Sequence, residues 1–266
     1  MKRLIAAAAI AASVVALWTL RPPARTVRVE CVDMGAGQCW IVRGPGGSRV
    51  VINCGRLAGG TDGPGSAAAA VNALVRSGTN SIDCLIATRA DADACSGIKA
   101  LAKEFRVRKA VAPADALEAL RGSVPELDWQ PVRPGGAVAT ADGLMLSLAG
   151  SGQSVEAIVV EMPPTSIALI DRLSPETTRQ LAAEAPAALV LGFQASRGDP
   201  SALGALEANA AVLHSGRSRD QWADYGLLKT LQDRCERVWQ TGRNGGITLQ
   251  ANGRVIRAVV THGDQQ

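Results

Sequence analysis

Two carboxylates, Asp91 and Asp93, stand two residues apart in the segment Thr88-Arg89-Ala90-Asp91-Ala92-Asp93-Ala94-Cys95-Ser96-Gly97. An apolar strand, Ser81 to Ala87, runs into this segment, and a helix-patterned apolar stretch, Ile98 to Phe105, follows it. Carboxylates so spaced on a strand-to-helix turn can share a cation. A bound metal of that kind lowers the pKa of a coordinated water toward neutrality, the step a hydrolase needs. The remaining ligands are scarce. The chain holds only two histidines, His214 and His262, both far downstream. A hydrolytic centre draws several imidazoles and carboxylates to about 2.0–2.2 Å, whereas Asp91 and Asp93 supply two strong ligands at most. Cys54 and Cys95 can add thiolates in principle. Arg89, in the same loop, argues against a metal, because a guanidinium brings repulsion and no lone pair. Asp91 and Asp93 also suit a second role, capping a helix that starts near Ser96.

Other residues have weaker patterns. His214 precedes Ser215, yet no G-x-S-x-G elbow and no placed acid accompany them, so an edge-of-strand histidine is expected. Gly55-Arg56-Leu57-Ala58-Gly59-Gly60 is glycine-rich but lacks the Gly-Lys-Ser/Thr ending of a phosphate loop. Gly59 to Gly65 reads as a surface loop. Arg217, Arg219, Arg243 and Arg254 can form a basic face for phosphates, but a solvated charged face is commoner.

The elements that position these residues follow from patterning. Thr26–Asp33, Gln38–Arg43 and Arg49–Asn53 read as three strands of an antiparallel meander. Ala67–Ser77 reads as a helix ended by Gly78, Asp83–Thr88 as a buried strand, Gly97–Phe105 as a helix, Lys109–Pro113 as a strand and Asp115–Arg121 as a helix. In the second half Leu144–Leu148, Ala157–Glu161 and Ser166–Asp171 are strands. Pro175–Glu184 is a helix with proline in its first turn. Ala187–Leu191 and Ala210–His214 are strands alternating with helices at Pro200–Ala208 and Gln221–Cys235. Val238–Thr241, Gly246–Ala251 and Val255–Val260 close the chain, with Asn244-Gly245 and Asn252-Gly253 as hairpin turns. Strands followed by helix–strand units in each half predict two sheets packed face to face with helices outside, a four-layer αββα sandwich.

Composition agrees with a packed domain: 47% of the 266 residues are hydrophobic and 20% charged. Aromatics are 3%, so Ala, Val and Leu must fill the core. A net charge of +4 neither requires nucleic acid nor excludes it. Lys2 and Arg3 precede an apolar run from Leu4 to Leu20 that Arg21-Pro22-Pro23 ends. Residues 1–25 are therefore expected to be a signal anchor or a signal peptide, and residues 26–262 a single domain outside the cytoplasm. The membrane would be contacted through that N-terminal helix. Six cysteines at 31, 39, 54, 84, 95 and 235 contain no C-x-x-C pair, which disfavours a structural zinc site. Most read as small apolar core residues. A Cys54–Cys95 disulfide is one alternative.

Taken in order, these segments resemble the metallo-β-lactamase-like domain of ComEC-type DNA-uptake proteins, over most of Val27 to Val260. Asp33-Met34-Gly35-Ala36-Gly37-Gln38-Cys39 resembles that family's Asp-Val-Gly-Gln-Gly-Asp-Ala. Gly44-Pro45-Gly46-Gly47 and Ile52-Asn53-Cys54-Gly55 resemble its Thr-Pro-Gly-Gly and Ile-Asp-Gly-Gly. Thr88 to Gly97 matches the frame Thr-His-x-Asp-x-Asp-His-x-Gly-Gly, and Val238 to Ile247 resembles the closing Tyr-x-Thr-x-x-x-Gly-Ala-Ile. The resemblance implies a metal-dependent nuclease or phosphodiesterase with zinc or manganese. The departures fall on the ligands it implies. Histidine positions are held by Arg89 and Ala94 and, later, by Phe193 and Gln194. Asn53 stands for a carboxylate, and Arg172 aligns with the metal-bridging aspartate.

Two of these replacements bring positive charge, and unpaired buried carboxylates are costly. Arg89 and Arg172 are therefore expected to pair with Asp91 and Asp93 and fill the space a metal would take. The site so read comprises Asn53, Cys54, Arg89, Asp91, Asp93, Ala94, Cys95, Arg172, Phe193 and Gln194, with no catalytic residue and no cofactor. The function expected is binding by a catalytically inactive module with an unidentified protein or nucleic-acid partner. The alternatives are an active metal-dependent phosphodiesterase and a non-hydrolytic DNA-binding module.

Overall fold

The computed structural model describes residues 26–56, 67–184, 188–194, 206–216, 224–252 and 255–261. The apolar N-terminal run, the Gly59–Gly65 loop, most of the expected Pro200–Ala208 helix and Arg217, Arg219 and Arg254 lie outside them. Among the described residues no helix is long and apolar enough to cross a membrane.

The first half opens with the expected meander. β1 (Val27–Cys31), β2 (Trp40–Arg43) and β3 (Arg49–Ile52) pair antiparallel. Helix α1 (Ala68–Arg76) and β4 (Ser81–Ile82) lead to β5 (Cys84–Ile86), which pairs parallel with β3. The short helix α2 (Ala92–Cys95) and α3 (Ile98–Glu104) follow, then β6 (Arg106–Val107), β7 (Ala110–Pro113), α4 (Ala114–Ser123) and β8 (Trp129–Val132). β4 and β6 form a separate two-stranded ribbon. The second half contains β9 (Ala137–Ala139), β10 (Met145–Ser151), β11 (Ser154–Met162), β12 (Thr165–Ile170), α5 (Pro175–Glu184), β13 (Ala188–Gln194) and β14 (Ala210–His214). Helix α6 (Tyr225–Arg234), β15 (Arg237–Gln240), the one-turn helix α7 (Thr241–Asn244), β16 (Ile247–Ala251) and β17 (Ile256–Val260) complete it.

Eight strands form one sheet in the order β17-β16-β1-β2-β3-β5-β7-β8, and seven form the other in the order β15-β14-β13-β12-β11-β10-β9. The residue phase of each strand sorts side chains into three apolar layers. Val29, Trp40, Val42, Val50, Ile52, Ile158, Ile167 and Leu169 meet between the sheets. Ile41, Val51 and Leu85 face out from the first sheet onto Leu74, Ile98, Leu101 and Leu120 of its helices. Ala168, Ile170 and Leu213 face out from the second onto Leu181, Leu227 and Leu231. This is the expected αββα sandwich. β12 is buried at all six positions, which explains its unbroken apolar sequence: a central strand covered on both faces needs no alternation. β17, at a sheet edge, alternates instead.

Three expectations change. Asn244-Gly245 does not close a hairpin, because β15 belongs to the second sheet and β16 to the first; α7 and Gly245, at φ 66°, carry the chain between them. β8 and β9 were unreadable as strands. Pro131 sits within β8, which is tolerated only because β8 is an edge strand. Residues 206–208 are not helical. The other hairpin holds: β16 and β17 pair antiparallel, and the Asn252 amide donates to the Val255 carbonyl at 3.3 Å.

Candidate functional site

The loops after β3, β5 and β12 converge where the two sheets meet. β3 ends at Asn53, whose φ of 56° is left-handed, a conformation asparagine tolerates better than most residues. Its amide is 1% exposed and fully used. Asn53 Oδ1 accepts from the Thr88 backbone N–H at 2.9 Å, and Nδ2 donates to Gln38 Oε1 at 2.7 Å and Thr88 Oγ1 at 3.0 Å. A carboxylate here would accept the Thr88 bond but could not donate to Gln38. Gln38, buried as well, donates through its backbone N–H to the Asp93 carbonyl at 3.0 Å and through Nε2 to the Ile170 carbonyl at 3.5 Å.

The loop carrying Asp91 and Asp93 is seated on the strand-end backbone. Cys54 N–H donates to the Ala94 carbonyl at 2.6 Å, and Gly97 N–H donates to the Cys54 carbonyl at 2.7 Å. The approach is so close that a Cβ on Gly55 would lie 2.2 Å from the Asp93 carbonyl oxygen. Only glycine fits there. Asp91 does cap a helix, but it is the one-turn α2 rather than the one expected near Ser96: its Oδ1 accepts from the Asp93 and Ala94 backbone N–H groups at 3.1 and 3.2 Å, while α3 has Gly97 at its N-cap and no side-chain cap.

Arg89 enters the same cleft from the end of β5. Its side chain is 10% exposed. Nη1 lies 3.3 Å from Asp91 Oδ2, and Nε lies 3.1 Å from Asp171 Oδ2. One guanidinium thus bridges a carboxylate of the first half and a carboxylate of the second. Asp93 pairs with a different cation, Arg56, whose Nε lies 3.3 Å from Asp93 Oδ1.

These contacts correct part of the sequence reading. Arg89 pairs with Asp91 as expected, but Arg172 does not join it. Arg172 is exposed and makes no ion pair with Asp91 or Asp93; its backbone N–H donates to the Glu156 carbonyl at 3.1 Å. Strand phase explains the shift of one residue. Ile167 and Leu169 of β12 point between the sheets, so Asp171 continues inward and Arg172 outward. Asp171, at 5% exposure, is the buried acid of the cleft. That alternation was readable in the sequence and would have found it. Arg56, with φ 47°, carried no signal beyond following Gly55.

Glu156 holds the turn that aims Asp171. Its carbonyl accepts from the Asp171 N–H at 2.8 Å, and its Oε2 accepts from the Ser174 N–H at 3.1 Å and Thr177 Oγ1 at 2.5 Å. Burial alone would raise its pKa, but bonds from Ser174, Thr177 and Ser151 bring it below the usual carboxylate value.

The other expected members contribute less. No disulfide joins Cys54 and Cys95, and the Cys95 thiol donates to the Asp91 carbonyl at 2.8 Å. Ala94 is buried and acts through its backbone. Phe193 and Gln194 end β13, with Phe193 paired to Ile170 and Gln194 to His214; their side chains lie outside the described set. His214 is not an edge residue. It is 1% exposed, with its ring edge-on to Trp40 at 4.5 Å and Nε2 3.2 Å from Cys31 Sγ. Burial pushes its pKa down to about 3 and pushes the Cys31 thiol up, so both are neutral packing partners. A Cβ on Gly192 would lie 2.4 Å from the Trp40 ring, so β13 is glycine where the indole crosses it.

The donors among the described residues do not fit a metal. Among the described residues no three His, Cys, Asp or Glu side chains gather to hold one. Asp91 and Asp171 already share a guanidinium, a cation that cannot be deprotonated and offers no lone pair.

No family model matches the sequence, and no curated protein matches it. Solved structures do. The metallo-β-lactamase fold protein YhfI from Bacillus subtilis superposes with a TM-score of 0.59 at 8% identity, covering 85% of this chain and all of its own. Tm1679, described as a metal-dependent hydrolase of the β-lactamase superfamily, superposes with a TM-score of 0.51 at 9% identity, covering 81% of this chain and 95% of its own. At such identities the likeness is one of architecture, and the chain has the metallo-β-lactamase fold.

Proposed function

We propose that this chain is a catalytically inactive metallo-β-lactamase-fold protein that works by binding, displayed outside the cytoplasm behind its apolar N-terminal segment. One observation carries the reading: the Arg89 guanidinium bridges Asp91 and Asp171, at 3.3 and 3.1 Å. A cation built into the chain neutralises these carboxylates, so they do not depend on a metal for charge balance. The order of the sequence motifs supports kinship with ComEC-type DNA-uptake domains, and single-stranded DNA is accordingly the first partner to try. The rival reading, a metal-dependent phosphodiesterase with unusual ligands, draws on the three acids that remain, Asp91, Asp93 and Asp171.

The test is hydrolysis of a generic phosphodiester by the full chain, assayed with added zinc or manganese. The expected result is no turnover above a buffer control. Metal-stimulated turnover that Asp171→Asn abolishes would establish the rival. Binding of single-stranded DNA that weakens steeply with salt would identify phosphate contacts, because those contacts release counterions.

A further inference from the structure

Two cysteines lie side by side beneath the candidate site. Cys39 immediately precedes β2, and its phase with Ile41 points it to the helix-covered face of the first sheet. Cys54 follows β3. Simple alternation from Val51 would place residue 53 on that face and residue 54 on the other. The left-handed backbone of Asn53, at φ 56°, reverses the chain, and Cys54 joins Cys39 in the same apolar cluster. Beyond the Trp40–Ile52 pair the Gly55 N–H donates to the Gln38 carbonyl at 3.2 Å, and this contact sets the adjacent residues Cys39 and Cys54 alongside each other. Both side chains are 0% exposed. Cys31, the nearest strand cysteine in sequence, faces the layer between the sheets instead.

The position has a mechanical consequence. Cys54 is the backbone anchor of the acidic loop, through its bonds to Ala94 and Gly97, and Gln38 beside Cys39 holds the Asp93 carbonyl. We propose that Cys39 and Cys54 are a reversible disulfide site, oxidised by exchange with a small-molecule disulfide such as oxidised glutathione, and that the bond clips the seat of the 91–97 loop. In the first step a thiolate of the pair attacks the small disulfide, forming a mixed disulfide and releasing one glutathione thiolate. The second thiol, on losing its proton, attacks the protein sulfur of the mixed disulfide and releases the second glutathione. Two protein thiols are oxidised and one glutathione disulfide is reduced to two glutathiones. Burial slows the exchange, so it proceeds through local opening at the end of β2 and β3. The inference is independent of what the site binds.

The experiment uses the full chain, reduced, desalted and incubated with oxidised glutathione without denaturant. Intact mass should show the loss of two hydrogens, and peptide mapping should join Cys39 to Cys54. Closing a loop of about 15 residues should raise the thermal midpoint by on the order of 5 °C, reversibly with dithiothreitol. Cys54→Ser should abolish the link and the shift, and Cys95→Ser should keep both. If Cys54→Ser fails to fold, the Cys95→Ser map decides alone. A native-state map without the 39–54 link, or one in which the link forms only in denaturant, overturns the proposal.

Discussion

Two carboxylates tie the halves of this molecule together, one at each end of the strands, and they are neutralised by opposite means. Asp142, in the turn before β10, docks on the β2–β3 turn. It accepts from the Gly46 and Ser48 backbone N–H groups at 2.8 and 3.0 Å, from Ser48 Oγ at 2.7 Å and from Thr140 Oγ1 at 2.5 Å. Among the described residues no cation pairs with it. Burial would raise its pKa, yet these neutral donors bring it well below the usual carboxylate value. Asp171, at the other end, is more deeply buried and meets the Arg89 guanidinium. A structural carboxylate is served well by dipoles aimed at it from tight turns. A cleft holding Asp91, Asp93 and Asp171 near one another has too much negative charge for dipoles alone. Arg89 and Arg56 supply the balance.

The contrast is open to mutation. Arg89→Ala leaves Asp171 buried without its cation and should cost about 3–5 kcal/mol in urea unfolding. Combining it with Asp171→Leu should recover much of that loss, since a missing pair is cheaper than a broken one; an additive double mutant would show that the two do not couple. Asn53→Asp replaces a donor to Gln38 with a charge at a 1% exposed position, and about 2 kcal/mol should be lost. Asp142→Ala removes a carboxylate's bonds from neutral donors at a partly exposed turn, so a cost of about 1–2 kcal/mol is expected, with little dependence on salt. The smallest effect should come from Arg172→Ala, within about 0.5 kcal/mol, because that side chain is exposed. A loss comparable to that of Arg89→Ala would return Arg172 to the cleft.

The pH response separates the ends further. His214 has its folded pKa depressed to about 3 against 6.5, so the unfolded chain binds one more proton between those values. Stability from this residue is complete above pH 6.5 and falls as pH drops, at roughly 1.4 kcal/mol per unit near pH 5. His214→Gln should flatten that slope in urea midpoints taken from pH 7 to 4. Asp142 and Glu156, whose folded pKa values are also lowered, lose their contribution only at lower pH, as the solution falls below the ordinary carboxylate range. A slope unchanged by His214→Gln would contradict the buried neutral imidazole.

Much of the architecture was legible because each half of the chain follows one rule at a time. The meander, the parallel strands β12 to β14 and the proline-started α5 all follow local patterning and turn chemistry. β8 and β9 were hidden: one contains a proline and both are short edge strands, so neither carries a strong period. Asn244-Gly245 has hairpin chemistry, but the chain there changes sheets, a tertiary choice no local signal encodes. At the site, Asp91, Asp93 and Arg89 were legible from type and spacing. Motif position points to Arg172, whereas strand alternation aims its neighbour Asp171 into the cleft. Gln38 and Arg56 act through contacts with residues 93 and 53 that exist only after the loops converge.

On the proposed reading, Arg89 balances Asp91 and Asp171 without a metal. Elemental analysis of the purified full chain, incubated with zinc or manganese and then desalted, tests it most directly. Wild type should retain only sub-stoichiometric metal, and Arg89→Ala, with Asp91 and Asp171 freed, should retain more. One or more equivalents held by the wild type, with Arg89 in place, would contradict the account.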